Sequence, residues 1–229
     1  MKILIIDNTI DPDSWGSHDL RKMAASAQGS TVVVRRAPHQ DLPASPRGFD
    51  RIIVSGSKTS VLEDAPWVEE LHQFVRQTLD ENIPYLGVCY GHQTLARVLG
   101  GKSTCRRAET AEIGWTKIEI TEPSPLLAGL PSTFYTFSSH VEEVAALPTP
   151  LRSVAHSEAC AIQACHFPGR PVYGIQFHPE RDIMGAERTF AAKKKTVDSK
   201  WLLRPNQSME LYDPLVGERI FKNFLEIKT

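Results

Sequence analysis

Ile83-Pro84-Tyr85-Leu86-Gly87-Val88-Cys89-Tyr90-Gly91-His92-Gln93 joins a short apolar run to a helical pattern, with a cysteine at the joint. The run before Cys89 reads as a buried strand, and Thr94-Leu95-Ala96-Arg97-Val98-Leu99 after it carries apolar residues at helical spacing. A side chain at such a strand-to-helix turn is lifted above the sheet edge. Glycines on both sides remove the Cβ atoms that would collide in a sharp bend. The helix that begins there points its first N–H groups and the positive end of its dipole at the sulfur. A free cysteine is usually a packing residue, so the nucleophile reading depends on partners elsewhere in the chain.

Working outward, strands and amphipathic helices alternate through the first hundred residues, the pattern of a parallel sheet covered on both faces. Lys2 to Ile6, Thr31 to Arg35 and Arg51 to Val54 read as strands, and Asp19 to Ala27 as a helix. In the helix predicted from Pro66 to Leu79, Pro66 suits the first turn and Asp64 is placed to cap. Trp67, Leu71, Phe74 and Val75 share one face. Gly100-Gly101 is expected to close the helix after Cys89.

From Gly114 to Gln176 the pattern changes to short alternating segments between proline-rich turns: Thr116 to Ile120, Phe134 to Phe137, Arg152 to His156, Ala161 to His166 and Val172 to Gln176. These predict a mixed or antiparallel extension. A last helix is expected from Pro214 to Leu225. The stretch 181–213, with weak periodicity and the basic residues Lys193, Lys194, Lys195 and Lys200, reads as an irregular insertion in one domain spanning 1–229. The lysines read first as a solvated loop face, and a lid or docking segment is the alternative.

The 229 residues are 41% apolar with a formal net charge of -1 and no long single-sign block. Electrostatics therefore give no reason to expect nucleic acid or an anionic membrane as partner. No apolar run is long enough for a signal peptide or a membrane span, which predicts a cytoplasmic protein. Cys89, Cys105, Cys160 and Cys165 lack paired CxxC spacing, so neither a zinc site nor a disulfide framework is implied. No metal or cofactor is expected.

Gly174-Ile175-Gln176-Phe177-His178-Pro179-Glu180 supplies what a cysteine nucleophile lacks. His178 and Glu180 are two apart, so at the end of an extended segment both leave the same face, with Pro179 enforcing extension and stopping the strand. One imidazole nitrogen then faces Cys89 while the carboxylate holds the other, the logic of an acyl-transfer triad.

At this point the two segments GVCYGHQ and GIQFHPE resemble the signature motifs of the class I, triad-type glutamine amidotransferases. Ser55-Gly56-Ser57-Lys58-Thr59-Ser60 resembles that family's Gly-rich oxyanion loop, and Glu112-Ile113-Gly114-Trp115 its Glu-x-Gly segment. Phe137-Ser138-Ser139-His140 is similar to the glutaminase domain of guanosine monophosphate synthetase and its free-standing relatives. The resemblance implies an α/β, flavodoxin-like fold: an open twisted, mostly parallel sheet with helices on both faces plus a small antiparallel extension. It implies Cys89 as nucleophile, His178 as general base and acid and Glu180 as its orienter, with the backbone N–H groups of Ser57 and Tyr90 as oxyanion hole. Gly56, Gln93, Ser139 and His140 would meet the bound substrate, although His140 can equally serve to pin its loop. His92 has no matched role and is expected to pack.

Two positions depart from the pattern. Ser57 replaces a glycine, and its Cβ limits the freedom of the loop to pass through positive φ. Val141-Glu142 replaces Gly-Asp, which puts recognition of the substrate's α-amino group in doubt. With no phosphate-binding GxxxxGK run in the chain, three functions stay open. The first is a glutaminase that passes ammonia to a separate synthetase subunit. The second is a stand-alone hydrolase of γ-glutamyl peptides or conjugates, and the third a binding protein with an idle site.

Overall fold

Alternate side chains of the first strand, β1 (Lys2–Asp7), feed two cores. Ile3 and Ile5 point to one face, while Leu4 and Ile6 point to the other, and all four are fully buried. That follows from the two-residue period of a strand, and it requires helices on both sides. In the computed structural model, which describes residues 1–11 and 16–227, α1 (Gly16–Ala25), β2 (Thr31–Arg36), β3 (Arg51–Val54), α2 (Pro66–Asp80), β4 (Tyr85–Val88) and α3 (Tyr90–Gly100) follow in order. Next come β5 (Cys105–Ile120), β6 (Thr133–Val144), β7 (Arg152–His156), β8 (Ala164–His166) and β9 (Val172–Ile175). The chain ends with α4 (Ile183–Lys193), β10 (Leu202–Leu203), α5 (Ser208–Leu211) and α6 (Pro214–Glu226).

Among the described residues the ten strands form one sheet, in the order β10-β5-β7-β8-β9-β4-β3-β1-β2, with β6 paired to β5. The half β2-β1-β3-β4-β9 is parallel, and β5 to β8 are joined antiparallel to one another and to β9. This is the flavodoxin-like arrangement with an antiparallel extension. One core packs Ile3, Ile5 and Ile53 against Leu20 and Ala24 of α1 and Ile220, Phe221 and Phe224 of α6. The other packs Leu4, Ile6 and Val54 against Leu71 and Val75 of α2 and Leu95 and Ala96 of α3. Among the described residues, no helix is long and apolar enough to cross a membrane.

Three expectations need correcting. Asp64 does not cap α2; Ala65 holds the cap position without a side-chain bond, and the Asp64 carboxylate pairs instead with Arg97 and Lys102. β5 and β6 are much longer than the alternating segments suggested, because charged residues at their far ends pair across strands, as Arg106 does with Glu143. The stretch 181–213 is not an irregular insertion. It carries α4, β10 and α5, and Ala186 and Phe190 of α4 pack on Trp115 and Phe137 in a third cluster. Gly114, at φ 136°, lets Leu203 of β10 approach so closely that a Cβ would lie 2.1 Å from the Leu203 carbonyl oxygen. The weak periodicity of this segment reflects short elements anchored one residue at a time, as when the Trp115 indole N–H donates to Ser208.

Candidate active site

β4 and β9 are sheet neighbours although far apart along the chain, with Val88 opposite Ile175. The Cys89 N–H donates to the Ile175 carbonyl at 2.8 Å, which carries the pairing to the very start of α3. Cys89 follows β4 at that sheet edge and His178 follows β9 at the same edge, so the parallel pairing itself brings them together. Their side chains share a hydrogen bond.

The bend at Cys89 is sharp: φ 51° and ψ -101°, outside ordinary helix or strand geometry. A non-glycine residue at positive φ is costly, and the surrounding packing imposes it. A Cβ on Gly87 would lie 2.4 Å from the Gly91 carbonyl, and one on Gly91 would lie 2.2 Å from the Val54 carbonyl oxygen. The two glycines therefore let α3 start directly against β3 and β4.

His178 is 2% exposed, and its Nδ1 lies 2.8 Å from Glu180 Oε1. The pair does not meet along an extended strand as the spacing suggested. His178 makes one antiparallel bridge to Phe137, and its carbonyl then accepts from the Arg181 N–H in a turn, so the turn folds Glu180 back onto the ring. Burial alone would lower the His178 pKa, but the Glu180 carboxylate and the hydrogen-bonded Cys89 outweigh it and hold it up at about 9. With Nδ1 engaged by Glu180, Nε2 is the nitrogen that faces the sulfur. Behind this pair, the buried Arg181 guanidinium bonds Asp19 of α1 at 3.0 Å.

A cavity of about 500 Å³ opens on Cys89 and His178, with Gly56, Ser57, Gln93, Ser139 and His140 in its walls. Tyr90 does not line it with its side chain; its ring turns away to Trp67. Its backbone opens α3, where the first N–H groups have no partner inside the helix. The Ser57 loop is pinned from several directions. The Ser57 hydroxyl donates to the Asn8 carbonyl and accepts from the Thr59 N–H, while Asn8 is tied in turn to Ser55. Ser57 keeps a negative φ.

Glu142 stands in the cavity wall but is turned to the neighbouring loop. Its carboxylate accepts from the Ser60 hydroxyl and the Val61 N–H, so the longer side chain holds that loop. Gln93 lines the cavity, yet its amide nitrogen donates to the Glu142 carbonyl and to Gln176. Only its carbonyl oxygen is left to offer a substrate.

His140 lines the cavity and is pinned through one ring nitrogen. Its Nε2 lies 3.0 Å from Glu112, whose carboxylate also accepts from Ser157 and Gln163. Glu112, His140 and Cys160 offer ligand atoms within 4.8 Å of one another. Glu112 is already engaged by His140, Ser157 and Gln163, however, and burial raises the Cys160 thiol pKa, so the trio reads as a structural network tying β5 to β6. His92 packs as expected: it sits against Cys165 and Gly174, and burial lowers its pKa to about 3. Sequence reasoning did not place Arg107, Arg188 or Lys193 in the cavity wall, reading Lys193 first as part of a solvated loop face. Nothing in their spacing marked them, because they come from β5 and α4.

A cysteine at a strained elbow, beside an imidazole tied to a carboxylate and open to a cavity, has the geometry that acyl transfer needs. The family model for class-I glutamine amidotransferases matches residues 8–196. The chain belongs to that family. It is 38% identical to a subunit of the glutamine-hydrolyzing GMP synthase of Pyrococcus abyssi over 153 residues, 66% of this chain and 76% of that one. Over 123 residues it is 34% identical to the protein of the same name from Methanocaldococcus jannaschii, 54% of this chain and 64% of that one. The crystal structure of a glutamine amidotransferase from Thermotoga maritima superposes with TM-score 0.79 at 22% identity, covering 99% of this chain and 96% of the other, a likeness of fold.

Proposed function

We propose that this amidotransferase hydrolyses the side-chain amide of glutamine to glutamate and ammonia, and that the ammonia passes to a separate synthetase subunit. The observation that carries the reading is the contact of Cys89 with a Glu180-bound His178 at the mouth of a cavity. The sulfur attacks the amide carbon, and the developing oxyanion lies between the N–H groups of Ser57 and Tyr90. Each such donor is commonly worth about 3 kcal/mol in the barrier. His178 gives its proton to the departing nitrogen, the C–N bond breaks, and a γ-glutamyl thioester remains. Water then loses a proton to His178, attacks the thioester and frees the sulfur. Gly56 and Ser139 supply backbone to the walls around the glutamine, and Gln93 offers its carbonyl oxygen.

The separate acceptor is supported by the names of the relatives, which are subunits of a synthase, and by apolar side chains beside the cavity. Met184, 66% exposed, adjoins the cavity residue Gly185, and Ile10, 59% exposed, adjoins Thr9. Exposed apolar groups around a site mouth suit a docking partner. Four free cysteines fit work in the reducing cytoplasm. The test is glutamate release from glutamine by the purified protein and by Cys89→Ala. Turnover lost in the variant supports the reading, and turnover retained there contradicts it.

A further inference from the structure

Directly after the glutamate that holds His178 comes Arg181, a guanidinium whose side chain is only 1% exposed. A buried cation is costly unless opposite charges compensate it. Its Nη1 lies 3.0 Å from Asp19 Oδ2 on α1, and the Asp19 side chain is itself 4% exposed. Burial lowers the Arg181 pKa; the carboxylates of Glu180, Asp19 and Asp182 oppose that effect, Glu180 most, and the charge of Arg188 adds to it. Asp19 depends on the same contact. Burial raises its pKa, and Arg181 is the strongest opposing influence, with Glu180, Asp182 and Lys22 as the other charges that act on it.

The fold makes room for this side chain. A Cβ on Gly185, in the first turn of α4, would lie 2.3 Å from Arg181 Cδ and 2.6 Å from Nη1, so any larger residue there would displace the buried guanidinium. Asp182 caps α4 by accepting from the Gly185 N–H, which fixes the crossing. In the same turn, a Cβ on Gly217 of α6 would lie 2.2 Å from the Pro179 carbonyl oxygen. The Arg181 N–H closes the turn on the His178 carbonyl at 3.1 Å. Three helices thus hold one turn: α1 by charge, α4 and α6 by close approach.

Glu180 needs such a neighbour. One of its oxygens lies 2.8 Å from His178 Nδ1, while Oε2 is buried and accepts no hydrogen bond from a described residue. A carboxylate satisfied on one side only is stabilised by a fixed cation close by, where water screens charge weakly. We propose that Arg181, braced by Asp19, is a positioning residue that keeps the Glu180 carboxylate charged and aimed at His178, so that the catalytic array extends two residues beyond Glu180 into α1. The proposal rests on the Cys89 chemistry above. Without the guanidinium, the Glu180 charge is left buried and uncompensated, and its hold on the imidazole weakens.

The experiment measures glutamate release from glutamine, from neutral to alkaline pH, for the native protein, Arg181→Met, Arg181→Lys and Cys89→Ala. The His178 ring is titrated in parallel by NMR of isotope-labelled histidine, a readout that needs no turnover. Arg181→Met is expected to lower kcat by about ten- to a hundredfold, per folded molecule, with KM within about twofold. Its His178 titration, at about 9 in the native protein, moves to lower pH because Glu180 no longer offsets burial of the ring. Arg181→Lys keeps the charge and therefore the native titration. Arg181→Met also leaves Asp19 buried without its guanidinium, so the double variant Asp19→Asn with Arg181→Met, which removes both charges, carries the same prediction if the single one folds poorly. A titration unmoved in these variants, or moved to higher pH, would overturn the proposal, the latter because it would mean that Arg181 acts on the imidazole as a repelling cation. Arg181→Lys behaving like Arg181→Met, or a change in KM alone, would overturn it as well, and each of these results leaves the triad intact. Turnover that survives Cys89→Ala would overturn the triad itself.

Discussion

Cys89 differs from Cys105, Cys160 and Cys165 by its neighbours rather than by its burial, since all four thiols are buried. It alone of the four sits at positive φ at the start of a helix, and the imidazole it meets is held by a carboxylate, unlike the His92 ring beside Cys165. Removing the sulfur removes the covalent route, so Cys89→Ala is expected to lower kcat by about 10⁴-fold or more, measured by glutamate release. Glu180 acts through His178. Its charge helps raise the folded-state pKa to about 9, above the usual 6.5, so the imidazolium is fully present at neutral pH and is lost as pH rises through 9. Proton donation to the leaving nitrogen then fails, and kcat should fall on an alkaline limb near 9. Glu180→Gln keeps a hydrogen-bonding group but removes the charge, so this limb should move to lower pH and kcat should drop by about 10²–10⁴-fold. A limb unmoved in that variant would show that the carboxylate does not hold the proton on His178.

At the scale of elements, the nucleophile turn was legible because its glycines are compelled by contacts that any strand-to-helix elbow must make. The 2.2 Å approach of a Gly91 Cβ to the Val54 carbonyl predicts that Gly91→Ala pushes α3 off β3, at a cost of about 1–3 kcal/mol. Urea denaturation should show it as a lower midpoint with activity lost alongside. The loop at Ser57 was recognisable as a motif, but its restraint was not. The bonds that hold it come from Asn8 in one direction and Glu142 in the other, and no local spacing encodes either contact. Glu142→Ala strips the acceptor from Ser60 and Val61 and loosens the backbone that carries the Ser57 N–H, the proposed oxyanion donor. We expect kcat to fall by about ten- to a hundredfold with little change in KM. A change confined to KM would mean that Glu142 binds substrate instead. Helix α4 was missed for a related reason: Ala186 and Phe190 gain their burial from Trp115 and Phe137, distant in sequence, so the local periodicity was weak.

Over the whole molecule, one choice of strand order makes the site. Inserting β4 between β3 and β9 sets Val88 beside Ile175, and everything catalytic follows from that adjacency at one sheet edge. The alternation of strands and helices disclosed the layers, and motif resemblance disclosed which edge carries chemistry. The adjacency itself is a long-range pairing that neither pattern contains. Closure of the molecule is equally long-range: the Arg51 guanidinium of β3 donates to the carbonyls of Phe224 and Ile227, fastening the end of α6 beside the first core. Replacing Arg51 by Met leaves those carbonyls without their donor, so a loss of about 1–3 kcal/mol is expected in urea denaturation, with little effect on kcat in the fraction that stays folded. The central claim is that Cys89 alone forms the γ-glutamyl bond. It is tested most directly by mass spectrometry of the protein quenched in acid during turnover of glutamine, followed by peptide mapping. The account predicts a γ-glutamyl adduct on the peptide containing Cys89 and none on those containing Cys105, Cys160 or Cys165. An adduct on any of those three, or steady turnover that leaves Cys89 unmodified, would contradict it.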